Sequence, residues 1–318
     1  MNRTAFLGWL AVGIATIVSS LWASWGVFEA FHEGWYFPSL ARNVLLTVKY
    51  LTLMLTSIAL SVIALRWPRA GGIFYLLFGL GFSTWILMTR RVLDVGVVLS
   101  WIPVTVPLLF LGVLFWVGRP TPMRLAYASS VLLPLAVGIG FAVEPATRIA
   151  ARVDDRDRGM RLVQGNGVSL IWAPEGPGWP TPDPNDRAWK THWRGPTWDE
   201  ARNTCRHLTA DGKSLADAPL DIWRLPTIEE VVRSMARHGI NSRGTWSSVR
   251  ARPSYATRPD KESPLWNPHS PVIYWWTSSE PSEPRAYSID FNGNVYARAK
   301  TSTLGSQAFR AVKNLQSK

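Results

Sequence analysis

The sequence predicts two unlike domains in one chain, an N-terminal all-α bundle of five transmembrane helices and a C-terminal α+β domain. Three observations carry this. About the first 145 residues are dominated by long apolar runs, whereas about the last 160 are rich in tryptophan, charge and turn residues. The mean hydropathy of +0.04 and the charged fraction of 18% are averages over unlike halves and describe neither. Along the second half the apolar pattern switches from helical spacing to strict alternation, the change that separates helix from strand.

The membrane domain is read as residues 1–145. Apolar runs at 5–28, 43–65, 72–89, 92–117 and 125–143 approach or exceed the roughly 20 residues a helix needs to cross a bilayer. The breaks between them are short and basic or turn-forming, as in Arg66-Trp67-Pro68-Arg69, Thr89-Arg90-Arg91 and Gly118-Arg119-Pro120-Thr121-Pro122. Trp9, Trp35, Tyr36, Trp67 and Trp116 lie near segment ends, at the depth amphipathic rings prefer. The first run exceeds the length of a signal-peptide core and reads as a retained helix. Lys49 lies close enough to a helix start to snorkel to the interface. Pro103 and Pro107 predict a kink in the fourth span. Residues 28–42 read as an interfacial loop. There is no acidic pair, broken-helix repeat or hydropathy symmetry of the kind transporters carry.

The net charge of +12 divides evenly, +6 in residues 1–150 and +6 in 151–318. A balance divided this evenly does not look like the clustered basic footprint of a nucleic-acid binder. Anionic lipid is the simpler partner for the arginines of the first half. In the short loops, Lys/Arg number five on the side of the N-terminus and three opposite; Arg148 and Arg152 level the count. The short-loop bias favours an inside N-terminus in a cytoplasmic (inner) membrane, and five spans then put the C-terminal domain outside.

Residues 146–159 read as a linker of mixed charge, and 160–318 as the α+β domain. Met160–Gln164 and Val168–Trp172 are β-prone runs about a Gly165-Asn166-Gly167 turn, and the Pro/Gly-rich 173–187 is an irregular loop. Two helices open with capping boxes, Thr197…Glu200 and Thr227…Glu230, each after a proline. The first turns Ala201, Cys205 and Leu208 inward. The second turns Ile228, Val231, Val232 and Met235 inward and stops at Gly239. Tyr287, Ile289 and Phe291 then alternate with polar residues, Asn292-Gly293 turns the chain, and Val295, Ala297 and Ala299 reply as the second strand of a hairpin. A last strand, 308–313, closes the domain.

These residues carry a resemblance. The order Trp198-x-x-Ala201-x-x-x-Cys205-x-x-Leu208, Ile222-Trp223-Arg224-Leu225-Pro226-Thr227-x-Glu229, Tyr274-Trp275-Trp276-Thr277-Ser278-Ser279, Ala286-Tyr287-Ser288-Ile289-Asp290-Phe291 and Phe309-Arg310-Ala311-Val312 resembles the domain ending the Legionella collagen-like adhesin. That family is similar in fold to C-type lectins and to formylglycine-generating enzyme. The resemblance spans about 160–313. It implies a C-type-lectin-like fold used for carbohydrate or glycosaminoglycan binding, for displayed variable binding, or for sulfatase activation. The last needs a reactive cysteine pair for copper, and this chain has one cysteine, Cys205, on the inward side of its helix. The expectation is therefore a non-enzymatic ligand-binding domain.

The loops beside the hairpin supply the candidate ligand-binding residues Trp275, Trp276, Asp290, Asn292 and Asn294: aromatic faces suit sugar C–H surfaces and side-chain oxygens suit polar groups. The same oxygens make Ca²⁺ the one cofactor to consider, but Glu280-Pro281-Ser282 is a poor match to the Glu-Pro-Asn of calcium-dependent lectins, and the turn accounts for Asn292-Gly293-Asn294. No cofactor and no catalytic or metal residue is expected. His192, His207, His238 and His269 lack the short spacings of helix-borne metal ligands. Arg224 reads as a brace. Trp275 and Trp276 also suit core packing, and the arginines of 237–258 suit a solvated face or a polyanion. The implied partners are the lipid bilayer, a glycan or other extracellular polymer, and a membrane protein partner.

Overall fold

The computed structural model describes residues 2–89, 95–177 and 194–315. The chain forms two compact units: Met1–Gly34 with Ser39–Ala146, and Trp35–Pro38 with Thr147–Lys318.

Among the described residues of the first unit, three helices are long and apolar enough to cross a membrane: α1 (Arg3–Glu33), α4 (Pro68–Thr89) and α6 (Met123–Ala150). α2 (Leu40–Tyr50) and α3 (Thr52–Arg66) qualify together but meet at 58°. The continuous span expected over 43–65 is thus broken at Leu51. The Thr52 hydroxyl donates to the Lys49 carbonyl at 2.7 Å, a local bond that competes with the helical ladder. α5 (Val95–Val117) is helical throughout, with its apolar stretch at Val104–Val117. These long apolar helices are those of a multi-pass membrane protein. Small residues let them approach: a Cβ on Gly71 would sit 2.1 Å from Ala64 Cα, and one on Gly72 would sit 2.8 Å from the Gly112 carbonyl oxygen. Ala11, Val12 and Ala15 of α1 pack with Leu60 and Ala64 of α3, Tyr75 of α4 and Phe115 of α5. Polar groups inside pair with each other, Ser19 with Ser57 and Ser61 with Tyr75, both at 2.8 Å.

The second unit begins inside α6. Helix continues past Pro145 to Ala150, so the first residues of the expected linker are helical. Arg148 and Arg152 both reach the buried Asp260 carboxylate, at 3.3 and 3.0 Å, which holds this turn in place against its proline. β1 (Arg161–Gly165) and β2 (Val168–Trp172) pair antiparallel around the expected Asn166-Gly167 turn, and β11 (Val312–Asn314) pairs with β2. A four-stranded sheet has the order β10-β7-β8-β9, from Gln307–Ala308, Tyr274–Trp276, Arg285–Asp290 and Val295–Ala299. The expected single last strand is therefore two, with Arg310 between them buried and donating to the carbonyls of Ala173, Pro264 and Leu265. Much of the expected loop 173–187 lies outside the described residues.

Both capping boxes form and open α7 (Trp198–His207) and α8 (Ile228–Ser234). α8 ends before Gly239, because His238 and Gly239, both at positive φ, turn a hairpin between β3 (Ala236–Arg237) and β4 (Ile240–Asn241). A second ribbon follows, β5 (Thr245–Ser247) with β6 (Arg252–Ser254).

The core has two parts on opposite sides of the sheet. Successive strand residues face opposite ways, so Trp275 enters one part, stacked on Trp266 at 3.7 Å, and Trp276 enters the other with Trp198, Cys205, Leu208 and Trp223. The blocks that carry the resemblance fasten these layers: the Trp198 indole donates to the Thr277 carbonyl, the Ser278 amide to the Pro226 carbonyl, and the Ile228 amide to Ser279 Oγ.

Candidate functional site

The hairpin of β8 and β9 sets the site. Ile289 pairs with Val295, and Gly293 takes φ +82° in the connecting turn. A side chain on Gly293 would also strike the Tyr255 ring at 2.6 Å. Asp290, fully buried, accepts from the Asn294 amide and from Asn294 Nδ2, both at 2.8 Å, and from the Tyr296 hydroxyl at 3.0 Å. Burial, and then the Asp290 charge, push the Tyr296 phenol well above its usual range. The same two causes in the same order act on Tyr255, whose hydroxyl donates to the Gly293 carbonyl at 3.0 Å.

On the sheet face of Asp290 stand Tyr274, Tyr296 and Arg298. The two tyrosine rings meet edge to face at 5.6 Å. The Arg298 guanidinium lies over Tyr274 at 4.3 Å and over Tyr296 at 5.1 Å, within cation–π range of both. Its Nε donates to Ser288 Oγ at 3.0 Å, while its two terminal nitrogens have no hydrogen-bond or carboxylate partner among the described residues. On β10, directly opposite Tyr274, Gln307 is buried with neither side-chain polar atom bonded. The half-exposed shelf thus combines two aromatic groups, a guanidinium with donors to spare and a carboxylate already saturated.

The residues expected to bind ligand are placed as follows. Trp275 and Trp276 are fully enclosed, which corrects their expected place in the loops: consecutive β7 positions send one indole into each half of the core. Asn292 is buried in the turn, and Asp290 with Asn294 holds that turn closed. Only Asn294 is exposed. As calcium ligands these oxygens are poorly suited, because both oxygens of Asp290 already accept from protein donors. Tyr274, Tyr296 and Arg298 were missed. The available signal was period two: Asn294, Tyr296 and Arg298 are i, i+2 and i+4 on one strand face. The sequence reading followed the other alternating set of β9, Val295, Ala297 and Ala299, of which the two alanines are exposed on the edge strand.

Other candidate side chains are tied into the scaffold. Cys205 is fully buried on α7, and burial drives its thiol far above the usual range, away from the reactive thiolate. Arg224 grips Glu230 with both terminal nitrogens, at 2.7 and 2.6 Å, and reaches Asn314 at 3.0 Å, the bracing role expected of it. His269 joins Asp154 at 3.1 Å to the Tyr36 carbonyl at 3.2 Å. His192 lies outside the described residues. Comparison of the chain with protein-family models, with curated proteins and with solved structures finds no match.

Proposed function

We propose that the chain is a five-span protein of the cytoplasmic membrane that displays a lectin-like α+β domain on the outer side, where the domain binds an acidic glycan rather than catalysing a reaction. The spans are α1, the bent pair α2–α3, α4, α5 and α6. The observation that carries the reading is Arg298, a half-buried guanidinium oriented by Ser288, Tyr274 and Tyr296, with its terminal donors unspent among the described residues. An arginine fork matches a carboxylate or sulfate in two parallel hydrogen bonds, and the flanking tyrosines supply the apolar faces that sugar C–H groups favour. Glycan-array binding of the full-length chain in nanodiscs tests this. Retention of acidic saccharides, reduced at least about tenfold by R298Q in line with a lost charged hydrogen bond, supports it, and absence of binding to any glycan refutes it. Thr303→Cys, an exposed site in a chain whose own thiol is buried, reports sidedness. Protection of this thiol from an impermeant reagent in intact cells would overturn the outer location.

One observation favours a second reading, a small-molecule conduit: the 58° break between α2 and α3, since interrupted helices line substrate sites in transporters. Solute flux through proteoliposomes that is altered by substitutions at Leu51 or Thr52 would favour it.

A further inference from the structure

The chain leaves α6 at a point to which one surface of the second unit is firmly tied. Arg148 and Arg152 hold Asp260, the Asp260 amide donates to the Ala236 carbonyl at 3.0 Å, and the Ser263 amide donates to the Val153 carbonyl at 3.1 Å. The segment 236–260 is therefore closed on itself at Asp260, and that end is bonded to Arg148 and Arg152. α6 has 28 residues, about 42 Å of helix, which exceeds a hydrocarbon core of about 30 Å.

The segment held there is unlike the rest of the domain. From 236 to 258 it carries five arginines and no acidic residue, in a chain with 22 Asp and Glu. Arg243, Arg250, Arg252 and Arg258 are exposed, and their guanidinium groups have no partner among the described residues. The two ribbons also present apolar side chains outward: Ile240 beside the β3–β4 turn is 72% exposed, and Val249 at the β5–β6 tip is 95% exposed. Arg252 pairs in register with Ser247, so Val249, Arg250 and Arg252 share one tip. An exposed valine beside Arg250 and Arg252, on a segment without acidic residues, is complementary to a layer of phosphate over hydrocarbon.

We propose that the acid-free ribbons of 236–258 dock on anionic phospholipid headgroups, with Arg243, Arg250, Arg252 and Arg258 meeting phosphates and Val249 entering the acyl boundary. Salt weakens this contact, since the Debye length is about 10 Å at 0.1 M. The test is hydrogen exchange of the full-length chain in nanodiscs of phosphatidylcholine alone or with phosphatidylglycerol. Exchange at 248–251 is expected to slow at least about fivefold with phosphatidylglycerol, the factor one interfacial arginine supplies. The effect should vanish when the four arginines are replaced by glutamine and persist when they are replaced by lysine, with exchange in the Trp266–Trp275 core unchanged in both variants. Equal exchange in the two lipids, or slowing that survives the glutamine variant, overturns the proposal. Slowing by soluble polyphosphate in phosphatidylcholine discs, with none from phosphatidylglycerol, assigns the surface to a soluble polyanion and also overturns it.

Discussion

Tryptophan occupies opposite places in the two units. In the first, Trp25, Trp67, Trp85 and Trp116 are exposed on the helix surfaces, and the close helix contacts belong to glycine, alanine and serine. In the second, Trp172, Trp198, Trp223, Trp266, Trp275 and Trp276 are buried, and arginine takes the surface. The difference follows from the solvent each unit meets. Lipid gives large apolar side chains nothing to flee, so helices associate through the close approach that small residues allow. Water drives the indoles inward, where they are among the largest side chains of the core.

Substitutions can break this contrast. Trp275→Ala, at a position with 0% exposure, is expected to cost about 3–5 kcal/mol, enough to unfold the second unit. Trp85→Ala, at 60% exposure, is expected to cost less than about 0.5 kcal/mol. Equal losses in denaturant melts of the detergent-solubilised chain would end the comparison. Next in size is Gly71→Leu, whose first added carbon meets Ala64 Cα at 2.1 Å; overpacking of this kind costs about 1–3 kcal/mol. Gly81→Leu, with nothing within 4 Å of its Cβ, is the control and should leave the thermal midpoint in place.

The second unit should also be acid-sensitive through Glu230. Burial, the largest influence, raises this carboxyl, but the bonds from Arg224 and Thr227 outweigh it and hold the group below its usual range. On acidification the unfolded chain takes up the proton first. The stabilisation is thus complete above the ordinary glutamate value of about 4.3 and is lost as pH falls through the lowered folded value. Melting followed between about pH 2 and pH 7 should show E230Q less stable near neutrality and with a shallower acid slope; an unchanged slope would remove Glu230 from the account. The smallest effect is Thr197→Ala, which deletes one capping bond and should cost about 1 kcal/mol. The same measurement would detect a cap that contributes nothing.

Local chemistry made much of this legible beforehand. A threonine three residues before a glutamate, an Asn-Gly between alternating runs and a long apolar run each act within a few residues, and the capping boxes, both expected hairpins and the long apolar helices are present. What escaped was settled across the fold. Residues 146–159 read as a linker, yet α6 runs on to Ala150, where Arg148 reaches the Asp260 carboxylate. Ser288 and Asp290 read as an outer strand face, yet both are buried, because β8 is packed on both sides. The shelf was hardest to see, since Tyr274 and Arg298 are 24 residues apart and meet only when β7, β8 and β9 pair.

The sequence by itself determined the division into a lipid-facing and a water-facing half and the local starts and turns of their elements, because solvent preference and capping are properties of short stretches. Only the tertiary structure decided which aromatic rings are core, where α6 ends, and that Arg298 stands between two tyrosines with donors to spare. Those depend on which strands become neighbours, and that choice is made by packing over the whole domain.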